Sequence, residues 1–256
     1  MPAFDRLSAA LKRAFERPPS IEARALAQTW SGAWLLALCA LAGFGIVDRW
    51  GPPQDLPWKP LSIAHPIGSA TRAKVAALGD DPRKCLALLE EAGVKASPVP
   101  DRTDRDYCVV ANAVRLQSGA VPTDPSGLVM RCPVAVAWTI WTRHAVEPAA
   151  RELLEAELTR VETYGTYACR RIYGRETGPP SRHATAEAID VAGFRTGDGR
   201  RVRVVSDWDR GDEAGLFLRR VRDDACRVFG GTLSPDYNAA HRDHFHLETG
   251  GWTVCR

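Results

Sequence analysis

Two histidine-containing segments carry the residues with which this chain could do chemistry. The first, SRHATAEAID, covers residues 181–190, and the second, HRDHFH, covers residues 241–246. A histidine and an aspartate seven positions apart, followed by a His-x-His pair, supply imidazoles and one carboxylate. These are the ligand types of a catalytic zinc ion that keeps one coordination position open. The two segments together indicate a metal-dependent hydrolase.

Strand periodicity predicts which of these side chains meet. Asp190 falls in a β-prone piece, and His183 lies in or just before the loop that leads to it. Alternate residues of a strand face the same side, so we expect His244 and His246 to point into one cleft, with Glu248 on the same face. Taken alone, His183 and Asp190 would be an ordinary loop residue and a surface acid. The His-x-His strand is what favours a metal site.

The surrounding sequence predicts an α+β fold. Proline at the start and glycine at the end of 82–94 indicate a helix. The stretch 132–158 is expected to form two helices that meet near Pro148, and His144 within it is expected to be a surface or core histidine. We therefore expect a small antiparallel sheet that carries the zinc site, is flanked by helices and is stapled by disulfides. The predicted strands are 107–116, 163–167, 188–194, 202–208 and 245–248, and a further helix is predicted over 212–229.

An uncharged run of 18 residues near the N-terminus, at 30–47, has roughly the minimum length of a bilayer-spanning helix. Trp30, Trp34 and Trp50 are placed as interfacial anchors, and the basic residues before the run put the N-terminus in the cytoplasm. A cleaved signal peptide is disfavoured because no small-x-small cleavage pattern follows the run; a buried core helix is the other alternative. The predicted parts are a cytoplasmic segment at 1–29, a transmembrane anchor at 30–47, a proline-rich linker at 48–66 and one domain at 67–256.

The charge balance argues against a nucleic-acid partner. The chain has 34 basic and 31 acidic residues, a formal charge of +3 that is spread evenly. A nucleic-acid-binding domain would instead carry a concentrated basic patch. We expect no nucleic-acid binding.

Six cysteines follow the apolar run, on the side that is predicted to lie outside the cytoplasm. An even number in an oxidising compartment predicts three disulfides, although six cysteines allow 15 connectivities. Cys39, inside the apolar run, is expected to remain a thiol. The pairing that we predict joins sequence neighbours: Cys85 with Cys108, Cys132 with Cys169, and Cys226 with Cys255.

The two histidine segments resemble motifs of the extensin-like C-terminal domain family, which is similar to the zinc metallopeptidases that cleave peptidoglycan. Those include D-alanyl-D-alanine carboxypeptidases, D-alanyl-D-alanine dipeptidases and murein endopeptidases. The motif Ser-x-His-x-x-Gly-x-Ala-x-Asp maps onto Ser181, His183, Ala188 and Asp190, with Ala186 at the glycine position. A C-terminal His-x-x-His-x-His run maps onto 241–246. The resemblance covers about residues 67–256.

The resemblance implies a role for each residue of the motifs. His183, Asp190 and His246 would bind Zn²⁺, leaving a water as the fourth ligand, and zinc would lower the pKa of that water toward about 7. His244 would act as general base, with Asp243 as the alternative base. His241 would contact the substrate or, equally, be a structural histidine.

An arginine upstream of the first motif is the remaining candidate. The segment Tyr167-Ala-Cys-Arg170 resembles a Gly-Tyr-Arg segment of related peptidases, in which the arginine holds the substrate and the developing oxyanion. Arg170 is thus the expected residue, with Arg171 close behind. The alternative is a surface arginine beside a disulfide.

Two functions remain open at this point. The resemblance implies a hydrolase of the inner (cytoplasmic) membrane, held through residues 30–47, whose periplasmic domain cleaves peptide bonds involving D-amino acids in the peptidoglycan stem peptide. The alternative is a non-catalytic envelope- or peptidoglycan-binding domain that keeps the metallopeptidase fold. Ala186 and the absence of the usual acidic base keep that alternative open.

Overall fold

A computed structural model describes residues 21–79, 81–119, 121–250 and 253–256 of the chain. These residues form two units that divide between Gly51 and Pro52. Residues 1–20 of the predicted cytoplasmic segment lie outside the described residues. The first unit contains one helix, α1, at Ile21–Trp50. Within it, Gly32–Trp50 is long and apolar enough to cross a membrane, and by length and composition it is either a membrane span or a signal sequence.

The second unit is an α+β domain, as predicted. Its helices are α2 (Thr71–Ala76), α3 (Pro82–Glu91), α4 (Cys132–Trp141), α5 (Glu147–Leu153), α6 (Val204–Asp207) and α7 (Glu213–Ala225). A π-helical turn at Thr142–Val146 joins α4 to α5, and short 3-10 turns lie at Pro53–Asp55, Ile172–Gly174, Arg182–Thr185 and Ala239–His241. Its strands are β1 (Lys95–Val99), β2 (Arg102–Arg105), β3 (Cys108–Val110), β4 (Ala113–Ser118), β5 (Thr123–Asp124), β6 (Val129–Arg131), β7 (Leu158–Gly165), β8 (Ala188–Thr196), β9 (Arg201–Arg203), β10 (Gly231–Leu233), β11 (Phe245–Glu248) and β12 (Val254–Cys255).

The largest sheet contains the strands that bear the histidine motifs. Its order is β12-β10-β11-β8-β7-β5, and β9 also pairs with β8. The pairs at its centre, β11 with β8 and β8 with β7, are antiparallel, whereas β12 and β5 join its edges in parallel. Strands β1, β4 and β6 form a second sheet, and β2 with β3 forms a third. The predicted small antiparallel sheet is therefore the central part of a larger, mixed sheet.

The predicted long helical stretch is interrupted where its proline requires it. Pro148 has no N–H, and its ring would clash with the carbonyl oxygen four residues earlier. The chain avoids this clash with the π-helical turn, in which the Glu147 N–H donates to the carbonyl of Thr142. The helical path then ends at Leu153, and Leu158 begins β7 rather than ending a helix.

Two predicted strands are shorter than expected. The piece 107–116 is divided into β3 and β4 at Asn112, whose φ of 53° is incompatible with a strand. The piece 202–208 continues as a strand only to Arg203 and then becomes α6. The Asp207 carboxylate accepts the Arg203 N–H at 2.7 Å, and this contact closes the helical turn. Strand β11 has the predicted bounds, and α3 and α7 begin close to where the sequence predicts them.

The core lies between the helices and the inner face of the largest sheet. Helix α4 is apolar all round and buried, as expected of a helix that is enclosed on every side. Trp141 contacts Phe194 of β8, with ring centroids 6.2 Å apart, and its indole N–H donates to the Val221 carbonyl of α7 at 2.8 Å. Phe245 of β11 packs against Trp208 on the same inner face. The residues adjacent to Phe245 in β11 consequently face outward.

The three disulfides of the second unit correct two of the predicted pairings. Cys226 bonds Cys255 as predicted, but Cys85 bonds Cys132, and Cys108 bonds Cys169. Neighbour pairing is wrong here because α3 packs against α4, whereas β3 lies beside the Arg182–Thr185 turn. The residue before Cys169 is bonded to that turn, since the Ala168 N–H donates to the His183 carbonyl. Cys39 is a free thiol.

Removing the disulfide between Cys108 and Cys169 should strongly destabilise the domain. The bridge closes a loop with a sequence separation of 61 residues. The chain-entropy relation for such a loop gives about 4 kcal/mol. We expect the Cys108→Ala/Cys169→Ala variant to lose about this much free energy of unfolding in urea titrations, whereas Cys39→Ala changes it by less than about 0.5 kcal/mol. Equal unfolding midpoints for wild type and the double variant would contradict the assigned pairing.

Candidate metal centre

The strand register brings the two histidine motifs together. Strand β11 pairs with β8 so that His246 lies directly opposite Asp190. On the other side of β8, Gly165 of β7 lies opposite Asp190. His183 comes from the 3-10 turn before β8 and is buried beside this pair. Directly opposed residues in antiparallel strands hold their Cβ atoms about 5 Å apart, so a short side chain and an imidazole can share one point.

Two imidazole nitrogens and the Asp190 carboxylate form a small triangle, and the carboxylate uses a different oxygen for each of its two short distances. The His183 Nε2 atom is 3.1 Å from the Asp190 Oδ2 atom and 3.1 Å from the His246 Nδ1 atom. The His246 Nδ1 atom is 2.9 Å from the Asp190 Oδ1 atom. A tetrahedral metal with bonds of 2.0–2.1 Å holds its ligand atoms roughly 3.3 Å apart. One ligand atom from each of His183, Asp190 and His246 lies within 4.8 Å of the others, and these three donors are of the types that bind Zn²⁺.

The outer nitrogen of each imidazole has a hydrogen-bond acceptor that determines its tautomer. The Nδ1–H of His183 donates to the Thr166 carbonyl at 3.1 Å, and the Nε2–H of His246 donates to the Glu248 carboxylate at 3.0 Å. Because both acceptors lack hydrogen, each imidazole in its neutral form carries its proton on the outer nitrogen, and the lone pair of its inner nitrogen then faces the triangle. Gly231, opposite Glu248 on β10, makes room for that carboxylate, since a Cβ there would lie 2.7 Å from the Glu248 Cγ atom.

The surroundings of Asp190 and His246 shift the pKa values of both groups toward their charged forms. Burial raises the pKa of Asp190, but hydrogen bonds from His183 and His246 outweigh it and hold that pKa well below its usual range. Burial opposes protonation of His246, yet hydrogen bonds to Asp190 and Glu248 raise its pKa to about 9. A proton on His246 thus supplies the charge that a bound cation would supply between the same atoms.

A second carboxylate–imidazole pair borders the triangle. His244 faces the ligands, with its Nε2 atom 3.6 Å from the Asp190 Oδ1 atom, while its Nδ1–H donates to Asp243 at 2.9 Å. This leaves the lone pair on the nitrogen that faces the triangle, the form that a general base requires. Tyr164 covers the pair: its ring lies 5.6 Å from that of His244, and burial, together with the nearby Asp243 carboxylate, raises the pKa of its phenol.

The third histidine of the C-terminal run closes another side of the site. The His241 ring is 5.3 Å from that of His244 and 5.9 Å from that of His246. Its Nδ1–H donates to the Asn238 amide oxygen at 2.8 Å. Burial, with the neighbouring His244 and His246, lowers its pKa to about 4. His241 is therefore neutral at pH 7 and lies beside the three ligands.

The turn that carries His183 contains alanine where the related motif has glycine. Ala186 adopts φ 54° and ψ 30°, a left-handed conformation that costs a non-glycine residue about 1–2 kcal/mol. Its methyl group is fully buried against Val110 and Ala113, and burial of a methyl group offsets about 0.8 kcal/mol. The turn keeps its shape because the Ser181 side chain accepts the His183 N–H at 3.3 Å. The glycine position therefore reflects backbone conformation, and alanine is accommodated without displacing a ligand.

The comparison with known families agrees with these motifs. The family described as extensin-like protein C-terminus matches residues 83–256, which include every residue of the metal centre. The chain belongs to the extensin-like C-terminal family. No curated protein and no solved structure gives a significant match to the chain.

Arg170 and Arg182 lie near the candidate metal centre of the extensin-like domain, but their surroundings differ. Arg170 is exposed, and its backbone carbonyl accepts the Ser181 N–H at 3.1 Å, so it lies beside the His183 turn. Its side chain contacts none of the three ligands within the described residues, and its role in holding an oxyanion stays a prediction. Arg182 is paired with Glu187 at 2.8 Å and is part of the turn rather than of the metal centre.

Four residues around the candidate metal centre have little or no signal in the sequence. Glu248 was only weakly indicated by strand alternation, which correctly puts it on the face of His246. Thr166 contributes a backbone carbonyl, which carries no side-chain signal. Asn238 and Tyr164 are distant in sequence from the residues that they contact. The signal for Tyr164 would have been the pairing of β7 with β8, which only the fold supplies. His144 is outside the centre and bonds the Ile63 carbonyl at 2.7 Å.

The metal-free extensin-like domain should become less stable as the pH rises from about 6.5 to about 9. The folded-state pKa of His246 is raised to about 9 from 6.5, so its contribution is complete below pH 6.5 and is lost as the pH passes 9. The loss should be on the order of 2–3 kcal/mol. His241, with its lowered pKa, affects stability only below pH 6.5.

Urea unfolding in EDTA at pH 6 and pH 9 measures this effect. His246→Gln should flatten the profile over this window, and excess zinc should remove the decline because the metal replaces the proton. A metal-free wild type whose stability increases over the same window would contradict the assignment.

Proposed function

We propose that this protein is a zinc-dependent hydrolase of the inner membrane whose periplasmic domain cleaves peptide bonds in peptidoglycan, in particular bonds involving D-amino acids. The catalytic part of the proposal rests on one observation: ligand atoms of His183, Asp190 and His246 lie within 4.8 Å of one another, and the Asp243–His244 pair borders them. A buried structural histidine cluster has no need of a further carboxylate-supported imidazole beside it.

The chain's own residues divide into ligands and acid–base groups. His183, Asp190 and His246 would hold Zn²⁺, and three protein ligands leave a position open for water or substrate. Zinc in such a site would act as a Lewis acid: it would polarise a carbonyl group and lower the pKa of a bound water to about 7. His244 accepts, at Nε2, the proton that the attacking water loses. Asp243 orients the imidazole ring and stabilises the positive charge that the ring gains.

Binding and orientation of the substrate fall to the residues around the ligands. His241 stays neutral and offers a polar contact beside His244. Arg170 is proposed to contact the scissile carbonyl from the edge of the His183 turn. The substrate class rests on the resemblance of both histidine motifs to peptidoglycan peptidases.

The proposed compartment rests on two features of the chain. Helix α1 is apolar enough to be the anchor, and the basic residues before it favour a cytoplasmic N-terminus. Three disulfides in the second unit fit an oxidising compartment such as the periplasm. A protease added from the periplasmic side should therefore digest the region after Asp48, and protection of that region would contradict this topology.

Cleavage of defined stem peptides tests the function. The detergent-solubilised full chain, loaded with zinc, should release new amino groups from synthetic stem peptides that contain D-amino acids, and mass spectrometry identifies the bond. Removing the metal with EDTA should abolish release, and adding zinc back should restore it. Peptide binding without any release, in protein shown to contain zinc, would contradict the hydrolase and favour the non-catalytic peptidoglycan-binding domain.

A further inference from the structure

A cavity of about 400 Å³ adjoins the metal centre on the outward face of the largest sheet. Tyr164 belongs to both, since it lines the cavity and also covers the Asp243–His244 pair. Ala192 lines the cavity two residues after Asp190 on β8, on the same outward face. A molecule bound at the metal centre could therefore extend past Tyr164 into this space. The charged residues that line the cavity are Asp124, Glu162, Arg201 and Arg203.

The strand register sets the distance between the cavity and the ligands. Strands β11 and β9 pair with successive parts of β8 along the same edge: His246 lies opposite Asp190, and Arg203 lies opposite Gly193. Three residues of strand separate the two positions on β8. At about 3.3 Å per residue, the backbone of Arg203 lies roughly 10 Å from the backbone of His246 along the strand direction.

Most charges in the cavity neutralise one another. The Glu162 carboxylate accepts hydrogen bonds from Arg201, with an Nη2–Oε2 distance of 2.7 Å, and also from Arg195. Arg195 in turn lies 3.6 Å from Asp124. Burial raises the pKa of Glu162, but the bonds from Arg201 and Arg195 outweigh it and lower that pKa, so this carboxylate stays ionised. Two acids thus balance two arginines.

Arg203 remains as the unbalanced charge. Its backbone N–H is bonded to Asp207, but the Asp207 carboxylate pairs with the Arg210 guanidinium at 3.3 Å. Within the described part of the chain, the Arg203 guanidinium makes no hydrogen bond and no ion pair. Arg203 is exposed and its positive charge acts on the phenol of Tyr164. A cation therefore lines a cavity that is open to a ligand and that shares Tyr164 with the surroundings of the candidate metal centre.

We propose that this cavity is a specificity-determining subsite in which Arg203 binds a carboxylate of the substrate. This inference deepens the proposed function and rests on it, because it takes the scissile bond to lie at the metal centre. The planar guanidinium fork of arginine matches a carboxylate in charge and geometry. A distance of roughly 10 Å corresponds to about three residues of extended peptide. The preferred substrate thus carries a free carboxylate two or three residues away from the bond that is cleaved.

Binding of two matched peptides tests the subsite. The probes are a synthetic stem peptide with its carboxylates free and the same peptide with every carboxylate amidated, titrated calorimetrically into the detergent-solubilised full chain. Wild type should bind the free acid roughly 10- to 100-fold more tightly than the amide, as expected for a charge-assisted contact. Arg203→Gln should bring the ratio close to one, mainly by weakening the acid, and Arg203→Lys should retain part of it.

Arg115→Gln provides the matched control. Arg115 is also an exposed strand arginine, but it lies on β4 in another sheet, so its loss changes the net charge equally without touching the cavity. The ratio should stay at the wild-type value in this variant. A ratio near one in wild type, or an unchanged ratio in Arg203→Gln, would overturn the subsite.

Mass spectrometry of the same samples separates the two proposals. If the acid is preferred through Arg203 but no peptide is cleaved by zinc-loaded protein, the anion subsite holds and the hydrolase fails. If both peptides are cleaved with equal kcat/KM and bound equally well, the hydrolase holds and the subsite fails.

Discussion

The His183→Ala variant should contain almost no zinc, whereas wild type purified in the presence of zinc should contain about one ion per chain. The His183 Nε2 atom lies 3.1 Å from both the Asp190 Oδ2 atom and the His246 Nδ1 atom. Removing it leaves one nitrogen and one carboxylate, which is too few donors for a stable zinc site. Elemental analysis of the purified chains, together with competition against a zinc indicator, measures both content and affinity.

Two further variants, Glu248→Gln and His65→Ala, test whether the loss of zinc is specific to the candidate ligands. Glu248→Gln leaves all three ligands but removes the carboxylate that orients His246, and loss of such an outer partner lowers metal affinity by about 10- to 100-fold. His65→Ala removes a histidine that lies far along the chain from both motifs and should leave zinc binding unchanged. Full zinc content in His183→Ala, with wild-type affinity, would show that the ligands are assigned wrongly.

The His244→Ala variant should keep its zinc and lose turnover. His244 touches none of the three ligand positions directly, because its Nε2 atom is 3.6 Å from the Asp190 Oδ1 atom. Loss of a general base lowers the rate by about 10²- to 10⁴-fold. We expect a decrease of this size in kcat on a stem peptide, with the zinc content of wild type.

Asp243→Asn distinguishes a supporting role from a direct one. The amide can no longer hold the Nδ1–H tautomer of His244, so kcat should decrease by a factor approaching that of His244→Ala, again with zinc retained. If Asp243 were itself the base, Asp243→Asn would abolish turnover while His244→Ala retained much of it. Wild-type turnover in His244→Ala would remove this imidazole from the mechanism altogether.

The local patterns of the sequence predicted the candidate metal ligands and the bounds of β11, the strand that bears His246. Alternation in β11 correctly puts His246 and Glu248 on one face, and His244, one residue before the strand, faces the same site, because strand geometry depends only on neighbouring residues. The same reasoning holds for α3, whose start is fixed by the Asp81 cap and by Pro82. Such features involve interactions over three or four residues and can be deduced without knowing the fold.

Pairings between distant segments were beyond that reasoning. The bonds of Cys85 with Cys132 and of Cys108 with Cys169 depend on which helix and which strand become neighbours in space. The end of the predicted strand after Arg203 likewise depends on a carboxylate four residues ahead competing for a backbone N–H.

Around the candidate metal centre, some features follow from the sequence and others depend on the tertiary structure. By itself the sequence determined that this chain has an apolar helix near its N-terminus, six cysteines that pair with one another, and two motifs that contain the candidate metal ligands. Only the tertiary structure decided that Asp243 supports His244, that Tyr164 covers both, and that Arg203 faces an open cavity beside them. The physical reason is that each of these relations is set by the register of β7, β8, β9 and β11. That register results from packing of the whole core and not from any short stretch of residues.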